Sequence, residues 1–438
     1  MRRLTFLLGY FGLDGSEGGE NELFRSSSKP LLFGDGRRET RERISTILFF
    51  IGYGIWLVWK LISVSMFSFS EGAVENTVLH LVSLALLALS SLVTLRLDGA
   101  FVLAVLTGLL GVAVFAATGD VVFVDLAVIL YAGGITLFKK TATFSLAILF
   151  IGSAAIVVSS QIGIIPDYLF PRDGVMSRHG LGFLYCTNLS HLYLGMVLIY
   201  LYLRKERAQA IECLAILLID GAIYYLTDSK NSCGLVLVAV VLFLMVRYFQ
   251  YGRLCKVLCF LSRWAFVGFT VMSLIFALAY DSGSETWRTF NRITSNRIAQ
   301  DNASLMKYGV RSFGQEIEFA NRTIAMGETD KIEWETQPSG DRNIVESSFL
   351  NILITKGVVS LAAVLLLFWV ALRRNTDGLI ATIMLVIAAH SAFDFQLINL
   401  LYTTFLFYVW NRCANELEEM MGHGMRMDRS RWGCSHEN

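Results

Sequence analysis

Apolar runs of about twenty residues, the length of helix that crosses a hydrocarbon core, recur along most of this 438-residue chain. Nothing in lipid can satisfy the backbone of such a run, so each must close its own hydrogen bonds as a helix. Hydrophobic residues make up 55% of the chain and charged residues 17%, and only 4 prolines interrupt it. The pattern predicts an all-α polytopic membrane protein. Candidate spans fall at 45–65, 78–95, 99–117, 121–137, 142–165, 181–203, 208–227, 234–250, 259–280, 346–372, 378–396 and 397–412, about twelve transmembrane helices. A formal net charge of +1 supplies no basic field for nucleic acid. The 7 cysteines lack paired metal-ligand spacing; Cys255 and Cys259 alone are too few for a zinc site, and buried thiols are expected.

Charge placement predicts orientation. If the first span starts in the cytosol, the short loops that should be cytosolic carry Arg96, Lys139, Lys140, Arg204, Lys205, Arg207, Arg247, Arg253, Lys256, Arg263, Arg373 and Arg374. The opposite loops carry Glu71, Glu75 and Asp120 with few cations, so both termini are expected in the cytosol and 166–180, 228–233 and 281–342 outside. Residues 1–44 read as a loosely ordered cytosolic arm rather than a signal peptide, 45–412 as the transmembrane domain, and 413–438 as a polar cytosolic tail.

One long polar stretch, Asp281 to Arg342, stands out between two apolar runs, and such a large external loop is where a polytopic protein meets a polar substrate. Within it Glu285 to Lys307 lacks Pro and Gly, places Arg288 and Arg292 on one helical face, and sets Asp301 four residues after Arg297. A helix lying on the membrane face is predicted. Arginine grips phosphate oxygens with two parallel hydrogen bonds, which suits anion capture and equally suits pairing with lipid headgroups. Tyr308, Gly309 and Gly314 follow, then the acidic run Glu328 to Glu335 with Trp334.

Three further segments place polar groups at the outer ends of spans, where lipid forbids them unless they face a cavity. These are Arg178 to Phe183 with Asn188 and His191 beyond, Thr227 to Ser232, and Glu346 to Asn351. Helix capping explains Ser, Asn and Asp at such places; it does not explain Lys230. His390 and Asp394, four apart near an outer end, share a helix face, and Asp220 and Asp394 are the main exceptions to a concentration of charge at the outer rim.

Taken in order, Arg-x-Gly-Leu-Gly-Phe before a span, Thr-x-Ser-basic ending another, an Arg-containing loop closing on Tyr-Gly and Phe-Gly, and acid-x-Ser-aromatic-Leu opening a late span resemble the Wzy polymerases. These are bacterial polysaccharide repeat-unit polymerases of the O-antigen polymerase and ligase superfamily. The resemblance covers roughly 170–400, with Lys230 where Arg is usual and Glu346 where Asp is usual. It implies a C-type glycosyltransferase-like fold with one large external loop, in the bacterial plasma membrane. Undecaprenyl-diphosphate-linked glycans are the implied substrates, with membrane lipid, the flippase and the chain-length regulator of the pathway as partners and neither metal nor cofactor. Cations must then hold a diphosphate as its charge grows, a role for Arg178, Lys230, Arg292 and Arg297, with Asn188 also binding substrate. A base must take the proton of the attacking hydroxyl; Glu346 is the first candidate, with His191 and then Asp394 as rivals. A ligase that transfers a finished glycan would share fold, donor and clamp. A flippase or transporter would show inverted repeats and charges at the bilayer midplane, whereas these charges gather at the outer rim.

Overall fold

The computed structural model describes residues 38–67, 74–172, 175–249, 252–317 and 345–431, so Trp334, the acidic run Glu328 to Glu335, and residues 1–37 of the arm lie outside the described residues. Helices follow one another as α1 (Arg38–Ser63), α2 (Val74–Val93), α3 (Gly99–Thr118), α4 (Val122–Gly133), α5 (Phe138–Gln161), α6 (Asn188–Arg204), α7 (Ala210–Thr227), α8 (Lys230–Phe249) and α9 (Gly252–Ala279). Then come α10 (Glu285–Ile293), α11 (Arg297–Tyr308), α12 (Ser348–Asn351), α13 (Val358–Leu372), α14 (Gly378–Ser391) and α15 (Leu406–Arg431). A hairpin of β1 (Leu169–Arg172) and β2 (Val175–His179) lies between α5 and α6, where only a loop was expected.

Among the described residues seven helices, α1, α2, α3, α5, α7, α8 and α9, are long and apolar enough to cross a membrane, and α4, α13 and α14 are shorter apolar helices. Their outer faces carry Leu106, Leu109, Phe150, Ile151, Leu214 and Leu218, all largely exposed, which in lipid costs nothing. Helix contacts instead use small and hydroxyl residues. Ser83 donates to the Gly52 carbonyl at 3.0 Å, while Ser45 and Ser90 donate to each other's carbonyls at 2.7 and 2.8 Å. Because 45 pairs with 90 and 52 with 83, α1 and α2 run antiparallel. A Cβ at Gly111 would strike the backbone of Val124, so its absence lets α3 close on α4. The aromatic centre is built from Phe49, Tyr53 and Phe407, with Phe138 packed against Tyr202, Phe405 and Tyr408.

Several expected boundaries move. The predicted span 346–372 is broken: α12 passes into a π-helical turn, Ile352–Lys356, and stops at Gly357, whose φ is 92°. Loop residues cover the break, with the N–H groups of Val358 and Val359 donating to the Arg311 and Ser312 carbonyls at 3.0 and 3.1 Å. Lys356 in the π turn pairs with Asp120 beyond α3. Hydropathy alone cannot show the break, because both sides of it are apolar. Helix α14 likewise ends at Ser391 rather than 396, and 392–405 is irregular before α15 begins at Leu406 and runs on into the expected tail. The Tyr402 carbonyl of that stretch rests where a Cβ of Gly195 would stand.

The single helix expected over Glu285 to Lys307 is two, because Ser295 and Asn296 adopt positive φ of 57° and 67°. Asn291 fixes the corner: its backbone carbonyl accepts from the Asn296 N–H at 2.7 Å and its side-chain oxygen from the Ala299 N–H at 3.0 Å. That amide takes up one of the orphan donors at the start of α11. Arg297 is the first residue of that helix, so the corner aims it.

Replacing Gly357 by Ala should test the seam between loop and broken helix. A Cβ there meets the Ser312 carbonyl and the Gly314 N–H, and φ is already unfavourable for an L side chain, so about 1–3 kcal/mol should be lost. The melting midpoint in detergent should fall by several degrees, whereas Gly108→Ala, with nothing within 4 Å, should leave it in place. Equal midpoints for the two variants would show that the seam is not held as described.

Candidate functional site

Five helix ends meet at one end of the bundle. His191 lies in the first turn of α6, Asn231 and Ser232 in the first turn of α8, His390 in the last turn of α14, and Asp394 just beyond it. Glu346 precedes α12, and Arg297 opens α11. The cations Arg204 and Arg373 stand at the far ends of α6 and α13, paired with Glu212 at 2.5 Å and Glu416 at 2.6 Å. The two ends of the bundle therefore carry different chemistry.

Asp394 is the hub. Its Oδ1 lies 3.2 Å from His191 Nε2 and accepts from Arg297 Nη2 at 3.0 Å; its Oδ2 lies 3.4 Å from His390 Nε2 and accepts from the Asn231 amide. Ser232 Oγ stands 3.3 Å from His390 Nε2. Ser348 fastens the backbone beneath, donating from Oγ to the Asp394 carbonyl at 2.5 Å and accepting from the Leu397 N–H at 3.1 Å. An ionised carboxylate only accepts, so an imidazole that bonds it must carry hydrogen on the facing Nε2. The two rings meet edge to face with centroids 5.1 Å apart, and His191 Nδ1 is buried without a hydrogen-bond partner among the described residues.

Access divides the cluster. The side chains of Asp394 and His191 are 3% and 6% exposed, so they form a foundation that no substrate touches in this conformation. Arg297 and Glu346 are each 18% exposed, more than Asp394 and His191, with Nε and Oε2 3.6 Å apart. Burial works against the Arg297 charge, but Asp394 and then Glu346 outweigh it and hold the guanidinium above its ordinary pKa. Four residues on, Asp301 is buried and accepts the Glu346 N–H at 3.2 Å; burial pushes its carboxyl up to about 7.

His191, His390 and Asp394 have ligand atoms within 4.8 Å of one another, a donor set of metal type. Arg297 and Asn231 already donate to the two Asp394 oxygens, so a metal ion would have to displace an amide and stand beside a guanidinium. The residues fit an ion pair better than a metal.

Among the residues singled out in the sequence, Glu346, His191, Asp394 and Arg297 come together here. Asn188 lies a turn before His191, and its amide donates to the Val64 carbonyl at 3.3 Å. Lys230 and Arg292 are exposed, and among the described residues neither has a hydrogen bond or ion pair to this cluster. Arg178, half-buried on β2 opposite Phe170, keeps a buried Nε without a hydrogen-bond partner among the described residues. Sequence reasoning missed Asn231, Ser232 and Ser348 as site residues, although all three lie in segments it marked. It weighted charge, and chose Lys230 where helical phase turns the neighbouring Asn231 inward. No protein-family model, curated protein or solved structure matches this chain.

Proposed function

We propose that the chain is a membrane glycosyltransferase that joins lipid-linked oligosaccharide repeat units at the external face of a bacterial plasma membrane. One observation carries the reading: a buried carboxylate and two imidazoles stand behind Arg297 and Glu346 at the end of the bundle, and these two keep the most exposed side chains of the cluster's charged groups, 18% each. That end is external if the arginine-rich ends of α6, α8 and α13 are cytosolic, which places both termini in the cytosol. Helices α4, α6, α13, α14 and the first part of α15 would then complete about twelve crossings, their short lengths met by tilt and local thinning.

In the proposed reaction the hydroxyl oxygen of the incoming repeat unit attacks C1 of the sugar joined to undecaprenyl diphosphate. A bond forms from that oxygen to C1, the bond from C1 to the diphosphate breaks, and its electron pair leaves with the diphosphate. Glu346 takes the hydroxyl proton. Arg297 spends Nε and Nη2 on its two carboxylates, which leaves Nη1 to meet the growing charge on the diphosphate. Asp394 does not serve as base, since its oxygens already face four donor groups. Exposure favours Glu346 over the buried His191.

Deleting the gene from its host should collapse the ladder of surface glycan to a single repeat unit on gels. An unchanged ladder would refute the proposal, and loss of all attached glycan would point to a ligase or flippase instead.

A further inference from the structure

A second carboxylate lies behind the pair of Arg297 and Glu346. Asp301 lies one turn after Arg297 on α11 and is 7% exposed. Its side chain accepts the backbone N–H of Glu346 at 3.2 Å and that of Ser347. It therefore holds the two residues that lead into α12, and the next residue, Ser348, holds the backbone of Asp394. Helix α11 thus supplies the cation of the site at one turn and, at the next, the anchor for Glu346.

Among the described residues, the charged groups facing Asp301 are few. Glu346 repels its charge and Arg297 attracts it. Helix α9 packs on α11 through Ala277, whose carbonyl accepts from Asn302 at 2.7 Å, and on the start of α12 through Ser273, 3.3 Å from Ser347; both are uncharged. Glu285, Arg288 and Arg292 of α10 are exposed.

We propose that Asp301 is a positioning residue that acts through Glu346: when ionised it clamps the start of α12 and seats Glu346 beside Arg297, and when protonated it releases that clamp. The proposal rests on the glycosyltransferase reading for its activity readout only. Two backbone donors point at one carboxylate, and a protonated acid brings its own O–H into that group of donors and leaves one of them poorly paired. Burial places the change at about pH 7, inside the range an external face meets.

The two states also differ in stability. The folded pKa is raised from 3.8 to about 7, so the contribution to folding is fully present below 3.8 and is lost as pH rises through about 7. Ionised Asp301 is therefore a cost to the fold that benefits the site.

The test compares the full-length wild type with Asp301→Asn in detergent, using three readouts: melting midpoint, hydrogen exchange of the 345–351 amides, and polymerisation of a defined lipid-linked repeat unit. Wild-type turnover should rise about tenfold from pH about 6 to about 8, following the ionised fraction of a group that titrates near 7. Asp301→Asn should stay near the acid-side rate at both pH values. Its 345–351 amides should exchange faster than wild type at pH about 8, while its midpoint there is equal or higher. Melting and exchange need no activity, so they judge the clamp even where the repeat unit is the wrong substrate. Unchanged exchange in the variant, or a midpoint that falls together with the rate, would overturn the proposal, the second result marking Asp301 as purely structural.

Discussion

Asp394→Ala should cost this protein a large share of its folding stability. The wild-type carboxylate is 3% exposed and faces donors from α6, α8, α11 and α14, so its removal leaves the Arg297 guanidinium without its closer carboxylate and the Asn231 amide without an acceptor. Breaking a buried ion pair by deleting one partner costs about 3–5 kcal/mol, against a total folding stability of about 5–15 kcal/mol. The variant should give little monodisperse protein in detergent, with a clearly lowered melting midpoint. Asp394→Asn separates charge from shape. It keeps the volume, but its amide hydrogens meet imidazole N–H groups, so a histidine must change tautomer or turn away. In triads that depend on a carboxylate in this way the same exchange lowers turnover by about ten-thousandfold with the fold intact. Here the carboxylate orients a cation rather than the base, so a smaller loss, about a hundredfold, is expected. A well-folded, active Asp394→Ala protein would show that the hub organises nothing.

Glu346→Gln should leave the protein folded and able to hold lipid-linked donor, while turnover of a defined repeat unit falls by about a hundredfold or more. The amide keeps the shape of the side chain but cannot take the hydroxyl proton. It also gives up the ion pair with Arg297 at 3.6 Å, which frees that guanidinium and, if anything, tightens the diphosphate. Donor affinity equal to or above wild type, with a deep loss of turnover, is the signature of a base. Parallel loss of both would make Glu346 a support for Arg297. Near-normal turnover would pass the base role to His191, which would then need a conformation that uncovers its buried Nδ1.

Much of the molecule was legible from its residues. Apolar run length separated helix from loop almost everywhere, because a span in lipid has no alternative way to satisfy its backbone. The polar segments Thr227 to Ser232 and Glu346 to Asn351, and the pair His390 and Asp394, stood out because polar groups at span ends require partners. Those partners are found in one another, across 163 residues between Asn231 and Asp394 and 97 between Arg297 and Asp394.

What only the tertiary structure decided is which polar residues face inward and which helices stop short. The break at Gly357, the irregular stretch 392–405 and the corner at Asn296 are held by contacts with distant backbone or by a corner conformation that local hydropathy does not register. Lys230 and Asn231 differ by one position and about 100° of helical phase; charge drew attention to Lys230, whereas it is Asn231 whose amide reaches Asp394. The sequence by itself determined that this chain belongs in a membrane as helices with a polar rim, because composition and run length answer to the solvent. The convergence of Arg297, Glu346, His191, His390 and Asp394 was decided by packing, because a carboxylate buried away from water keeps its charge only where the fold brings enough donors to it.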